Sequence, residues 1–197
     1  MTELELTEAA FAAIDAANAQ DPNVESVEGV AQPKELVYGR RMTGWLERLR
    51  PDAPTALRIA ARAQHIRRWE IPRDSFDMDR RGYLMWRKRL YAFHAECATE
   101  ILRGLGAEEA LIERVAFLLQ KRQLNSDADT QSLEDAACLV FLEFHFHEFL
   151  KKTAPDKIPG IVQKTWGKMS AQAHEFALGL PHTPEALAAI KQALGVA

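Results

Sequence analysis

Ionisable side chains interrupt the apolar faces of four consecutive predicted helices. His65 and Arg68 lie near the end of one helix, and the inward faces of the next three helices carry His94, Arg122 and Asp135. Burial of such groups is unfavourable unless each is paired or contacts a ligand. We therefore expect them to meet in a pocket between helices, where arginine and histidine hold an anion and Asp135 orients a histidine or acts as a base.

The segment AARAQHIRRWEIPR, residues 60–73, supplies most of the predicted positive charge. It starts as an alanine-rich helix, and Pro72 prevents the helix from continuing. One helical stripe changes from apolar to polar along its length, which indicates a helix that leaves the core to line a pocket. No residue is assigned to a metal, and the sequence identifies no cofactor. The predicted catalytic residues are His65, His94 and Asp135, and the predicted ligand-binding residues are Arg67, Arg68, Arg73, Lys121 and Arg122.

A structural interpretation of the same residues remains open. Asp135 could pair with Arg68 or Arg122 in an internal salt bridge, and each histidine could be a satisfied core residue. Asp135 could also be the third-position partner of Ser132 in a helix capping box.

Two further motifs are assigned to solvated surfaces. A basic run on the longest predicted helix is interleaved with Tyr83 and Trp86, but helical spacing turns these aromatics inward and the charges toward water. Nucleic acid is therefore not expected as a partner. In EFHFHE, Glu143 and His147 are one helical turn apart, which favours a surface pair over a metal site because no third ligand is placed. The basic run consists of Arg80, Arg81, Arg87, Lys88 and Arg89.

Composition excludes several classes of protein. The 197 residues are 47% apolar and 27% charged, which is typical of a globular chain rather than a disordered one. The net charge of -3 provides no overall attraction for nucleic acid. Cys97 and Cys138 lie among apolar residues, which favours a reducing compartment. The acidic start and the lack of a long apolar run predict a cytoplasmic protein without a signal peptide or membrane partner. The oligomeric state stays open.

Apolar periodicity predicts helices throughout the chain and no strands. We expect one all-α domain over residues 1–197, with a core of about 7–180 and a short C-terminal helix at 184–195. Residues 26–32 are expected to form a linker. The predicted helices are 8–20, 33–50, 54–69, 80–104, 107–123, 131–152, 158–169, 171–178 and 185–194.

Four segments together resemble the helical core of the HD-domain metal-dependent phosphohydrolases: AARAQH, YAFHAECATEIL, LLQKRQL and SLEDAACLVFLE. The resemblance implies a single HD-like domain. In it, His65 matches the histidine of the His-Asp dyad, His94 a helix histidine and Asp135 the late aspartate.

The same comparison shows departures at the metal ligands. Ile66 stands where the dyad aspartate is expected, and Lys121 and Arg122 stand where another histidine often lies. Gly39 or Arg40 takes the place of the first histidine. Positive neighbours disfavour a divalent cation, whereas guanidinium groups suit phosphate or carboxylate.

A longer set of runs resembles the family known as domain of unknown function 4202: KELVYGRRMTGWLERL, QHIRRWEIPR, GYLMWRKRLYAFHAE and QSLEDAACLVFLE. This resemblance covers about residues 11–180 and implies no established activity. Taken together, the residues predict a basic pocket for a small phosphate-bearing molecule. Three hypotheses follow: an enzyme that hydrolyses this molecule, a non-catalytic anion-binding or regulatory module, and an internal ion network with no ligand.

Overall fold

The computed structural model describes residues 2–195, and its architecture confirms the all-α class. Short 3-10 turns lie at Arg68–Glu70, Arg73–Ser75 and Pro155–Lys157, and a π-helical segment at Phe141–His145. The α-helices are α1 Glu3–Asn18, α2 Lys34–Leu49, α3 Thr55–Arg62, α4 Arg80–Gly104, α5 Glu109–Leu119, α6 Ala128–Val140, α7 Phe146–Lys152, α8 Ile158–Trp166, α9 Ala171–Leu178 and α10 Pro184–Leu194.

The residues expected to form a linker instead form a small hairpin. Strand β1, Val24–Val27, pairs antiparallel with β2, Val30–Pro33. Glu28 and Gly29 connect the strands, both with positive φ, as a tight two-residue hairpin turn requires. The hairpin is too short for its alternation to be visible in the sequence.

The chain divides into two compact units, one ending at Leu133 and one beginning at Glu134. In the first unit, α3 packs against α1, α2 and α5, while α4 runs along α5. The buried face of α3 includes Leu57, Ile59 and Ala60. In the second unit, α10 packs on α8, and Phe146 is fully buried.

Helix α3 ends earlier than its apolar pattern predicts. The expected helix over residues 54–69 stops at Arg62, and Arg67 has a left-handed backbone with φ of 51°. The Arg67 N–H donates to Asn18 Oδ1 at 3.0 Å, so a contact from α1 supports this turn. His65 consequently lies in the turn after the helix.

Helix α5 also ends before its predicted boundary. It stops at Leu119 rather than at residue 123, because Lys121 and Gln123 both have positive φ. A helical phase cannot be extended through such residues. The predicted inward orientation of Arg122 is therefore wrong, and this residue is exposed.

Two other helix predictions need correction. Helix α1 begins before the predicted start at residue 8, because Thr2 caps it with a hydroxyl that accepts from the Glu5 N–H within a capping box. On α4, whose predicted bounds are confirmed, Tyr83 is 41% exposed instead of facing the core.

No helix of residues 2–195 is both long enough and apolar enough to cross a bilayer.

Candidate functional site

His65 lies between a carboxylate and a guanidinium group. Its Nδ1 is 3.1 Å from Glu35 Oε2, and its Nε2 is 3.1 Å from Arg68 Nη1. Because arginine can only donate, Nε2 must accept this hydrogen bond. The proton of the neutral imidazole is then on Nδ1, which donates to the Glu35 carboxylate. Tyr38 stacks on the imidazole with ring centroids 3.8 Å apart.

A close approach of two helices positions Glu35 beside His65. A Cβ atom on Gly39 of α2 would lie 2.8 Å from the Arg62 carbonyl oxygen of α3, so only glycine permits this spacing. The Glu35 N–H also donates to Asp21 Oδ2 at 3.0 Å, which fixes the start of α2. Glu35 is one helical turn before Gly39 and therefore points to the same side.

Burial determines the protonation of Glu35. The residue is 6% exposed, and desolvation raises its pKa to about 7, although the positive charge of Arg68 acts in the opposite direction. Arg68 Nε lies 4.0 Å from Glu35 Oε1. Glu35 therefore changes its charge near neutral pH.

His94 of α4 is buried, and the centroid of its ring lies 5.8 Å from that of His65. Burial, together with the positive charges of Arg68 and Lys121, lowers its pKa to about 3, so its imidazole is neutral. Among residues 2–195, no group forms a hydrogen bond with His94 Nε2. An unpaired buried polar atom is unfavourable by about 1–3 kcal/mol, so its retention calls for an explanation.

Three cationic side chains lie near His65, namely Arg68, Lys121 and Arg87. The Arg68 guanidinium lies 4.7 Å from the Trp86 ring centroid, and Lys121 Nζ lies 5.7 Å from that of Tyr91. Arg87 is half-buried, and its guanidinium donates to the hydroxyls of Tyr83 and Tyr91. No carboxylate in the described chain forms an ion pair with it.

The positive charges of these three side chains all lower the pKa of His65. Burial lowers the pKa of His65 well below its usual value, and the positive charges of Arg68, Lys121 and Arg87 lower it further, together with His94. We call His65, His94, Glu35, Arg68, Arg87 and Lys121 the His65 cluster.

Two predicted ligand-binding arginines have structural contacts instead. Arg67 Nε donates to Glu70 Oε1 at 2.6 Å in a partly exposed ion pair. Arg73 donates to the backbone carbonyls of Phe76 and Asp77, which organises the loop before α4. Neither side chain contributes a contact to His65.

Asp135 is buried in the second unit, where its Oδ1 accepts from the Ser170 N–H at 2.8 Å. It lies well inside α6, which begins at Ala128, so it is not part of an N-terminal capping box with Ser132. The Ser132 hydroxyl instead donates to the Ala128 carbonyl oxygen. The position that fixes the His65 tautomer is occupied by Glu35.

The structure brings four of the predicted residues together, His65, Arg68, His94 and Lys121, and places Glu35 and Arg87, which the prediction did not include, beside them. The sequence does contain a pattern that indicates Glu35, because this residue lies one helical turn before Gly39 on the inward stripe of α2. Arg87 gave none, because it belongs to a run of basic residues that was assigned to the surface.

A protein-family model matches most of the chain. The model described as Domain of unknown function (DUF4202) matches residues 8–190. The chain belongs to this family. The DUF4202 match includes every residue of the His65 cluster and extends through both compact units. Neither the curated proteins nor the solved structures contain a match to the chain.

Proposed function

We propose that the His65 cluster binds a small phosphate-bearing molecule. The observation that carries this proposal is His94 Nε2, a buried nitrogen without a hydrogen-bond partner in residues 2–195, beside His65 and Arg68. The other ring nitrogen of His94 donates to the Gln64 carbonyl oxygen, so Nε2 is an acceptor. It can accept the O–H of a singly protonated phosphate group, whose remaining oxygens accept from the Arg68 guanidinium.

The cationic side chains support an anionic ligand rather than a neutral one. The Arg68 side chain is 29% exposed and the His65 side chain 21%, so both can be reached from solvent. Arg68 uses one N–H toward His65, which leaves further donors for a phosphate group. Arg87 adds a second guanidinium that no carboxylate of residues 2–195 neutralises.

The Glu35–His65 pair favours hydrolysis of the bound molecule. When a phosphate draws Arg68 away, His65 Nε2 is released and can take a proton from water, while the Glu35 carboxylate stabilises the protonated ring. The water oxygen then forms a bond to phosphorus, and the bond from phosphorus to the leaving oxygen breaks. The proton passes from His65 to that oxygen, giving an alcohol and inorganic phosphate. The alternative is a non-catalytic binding module, in which the arginines hold the phosphate and no proton is transferred.

An HD-like relationship belongs to this proposal, but metal chemistry does not. Within residues 2–195, no group of three or more His, Cys, Asp or Glu side chains could hold a metal ion. The donor set thus does not fit the metal centre of the HD-domain hydrolases. The proposed hydrolysis therefore uses only the side chains of Glu35, His65 and Arg68.

Phenyl phosphate tests binding and hydrolysis in one experiment. We expect it to raise the melting temperature of the chain by several degrees, and released phenol to report turnover. Arg68→Gln should abolish both effects, and His65→Asn should abolish phenol release while the thermal shift remains. The matched control is Arg103→Gln, at an exposed arginine of α4 paired with Glu109.

Each outcome separates the hypotheses. A thermal shift without phenol supports the binding module and contradicts hydrolysis. No shift with phenyl phosphate or inorganic phosphate contradicts the proposed function and leaves the internal ion network.

A further inference from the structure

A groove on the outer side of α4 is independent of the His65 cluster. The loop after α3 forms one wall and α4 the other, and the groove has a volume of about 820 Å³. Its apolar lining includes Ile71, Phe76, Met85 and Phe93, and Lys88 and Arg89 lie beside them. We call this feature the α4 groove. None of its lining residues belongs to the His65 cluster.

The basic residues at the start of α4 have no acidic partner within residues 2–195. Arg80, Arg81 and Lys88 are exposed, and no acidic side chain of residues 2–195 forms an ion pair with them. The first turn of α4 contains no acidic residue, and the carboxylate of the N-cap Asp79 accepts from the Gly82 N–H. Cations near a helix N-terminus interact unfavourably with the helix dipole. An external anionic partner would offset this unfavourable interaction.

Large apolar side chains accompany these cations. Met78 is 77% exposed, Leu84 56% and Met85 54%. Arg81, Met85 and Lys88 are spaced by four and three residues, so they share one face of α4. An exposed apolar patch with a polar rim is typical of a surface that binds another protein.

We propose that the α4 groove docks an acidic segment of a partner protein. Large apolar side chains of this segment lie in the groove, and its carboxylates lie against Arg81 and Lys88. The Glu70 carboxylate that also lines the groove is paired with Arg67, so the positive charges of Arg81 and Lys88 specify the acidic character of the segment. The apolar lining specifies the large side chains between its charges. Arg89 is less available, because it donates to Glu96 at 3.0 Å.

The shape of the groove favours a peptide over other anionic partners. Phe76 and Phe93 form part of a concave wall and are half-buried, whereas bases of single-stranded nucleic acid stack on open aromatic faces. A lipid surface has no side chains that could enter a groove, whereas a peptide does.

Selection from a peptide library tests the proposed docking of an acidic segment. A random 12-residue library is selected on the full chain and depleted on the Arg81→Glu/Lys88→Glu variant. We expect enriched peptides to combine two or more acidic residues with a Leu, Phe or Trp. The strongest peptide is then measured by fluorescence anisotropy, where Arg81→Glu and Met85→Glu should each raise Kd at least tenfold. Arg103→Glu, near the other end of α4, should leave Kd within twofold.

Several outcomes would overturn the proposal. These are a selection that enriches nothing beyond the depleted pool, enrichment of basic peptides, and a Kd that Arg81→Glu leaves unchanged. Single-stranded DNA and vesicles containing phosphatidylserine are measured in parallel. If either binds more tightly than the peptide and loses its binding in Arg81→Glu, the surface recognises a different class of partner. Because all four substituted residues are exposed, loss of folding is not expected, and circular dichroism checks it.

Discussion

Glu35 links the proton position on His65 to the pH of the solution. Above pH 7 its carboxylate accepts the Nδ1 proton of His65, and Arg68 donates to the opposite nitrogen. Below that pH, Glu35 takes up a proton that it would not hold in water. A single buried carboxylate therefore controls both the charge and the hydrogen bonding of the imidazole.

Substitution Glu35→Gln should change how stability depends on pH. Because the folded pKa of Glu35 is raised from 4.5 to about 7, this residue stabilises the folded state at low pH, and the stabilisation is lost as pH rises toward 7. The free energy of unfolding of Glu35→Gln should therefore rise relative to that of the wild type between pH 5 and 8, by about 3 kcal/mol.

Urea unfolding at both ends of this pH range measures the free energy of unfolding of each variant. Glu8→Gln, at an exposed position of α1, is the matched control, and its stability difference from wild type should not vary with pH. A difference between Glu35→Gln and wild type that is equally constant would show that Glu35 does not titrate as described.

At the level of elements, the approach of α2 to α3 creates the His65 cluster. Gly39 allows the two backbones to come close, and Glu35 and Tyr38, one turn or less before it, then reach His65. The position of the carboxylate is thus determined by helix packing rather than by a loop.

Two alanine substitutions in α2 should have opposite effects on stability. At Gly39, the new Cβ would clash with the Arg62 carbonyl oxygen, and such overpacking is destabilising by about 1–3 kcal/mol. At Gly44, nothing lies within 4 Å of the new Cβ, so the gain in helix propensity should stabilise the chain by about 0.5–1 kcal/mol.

Thermal unfolding of both variants tests this pair, with Gly44→Ala as the control for helix propensity. Gly39→Ala should also weaken binding of phenyl phosphate, because it moves Glu35 away from His65. Equal stabilisation by the two substitutions would contradict the close approach of the helices.

For the whole molecule, three groups of the His65 cluster contribute to the response to acid. His65 and His94 have pKa values lowered by burial, so each binds a proton in the unfolded chain that it does not bind in the folded one. Glu35 has the opposite effect. Near pH 5.5 the unfolded chain consequently binds about one more proton than the folded chain through these groups.

Stability should therefore decrease on acidification from pH 6.5 to 4.5, by about 1.4 kcal/mol for each pH unit. His94→Gln should flatten this dependence, and Glu35→Gln should make it steeper. His147→Gln, at an exposed histidine, should leave the slope unchanged. Urea unfolding at intervals of half a pH unit gives the slopes, and a wild-type stability that rises on acidification would refute the assignment.

The sequence by itself determined the helical class and singled out several of the residues that the fold brings together. Apolar periodicity predicted α4 with its observed bounds, because a long helix with one buried face has a strong pattern. The same pattern singled out His65, Arg68 and His94, since each is a polar interruption of an apolar stripe. The family resemblance was also visible in the sequence, and the match over residues 8–190 confirms it.

Only the tertiary structure decided how these groups are paired. Arg67, Lys121 and Gln123 adopt left-handed backbones, which helical phase cannot anticipate, and the exposure of Arg122 follows from these turns. Glu35 reaches His65 because Gly39 and Arg62, distant in the sequence, are in close contact. Periodicity reports which face of a helix is buried, whereas the partner of a buried charge depends on which faces meet in space.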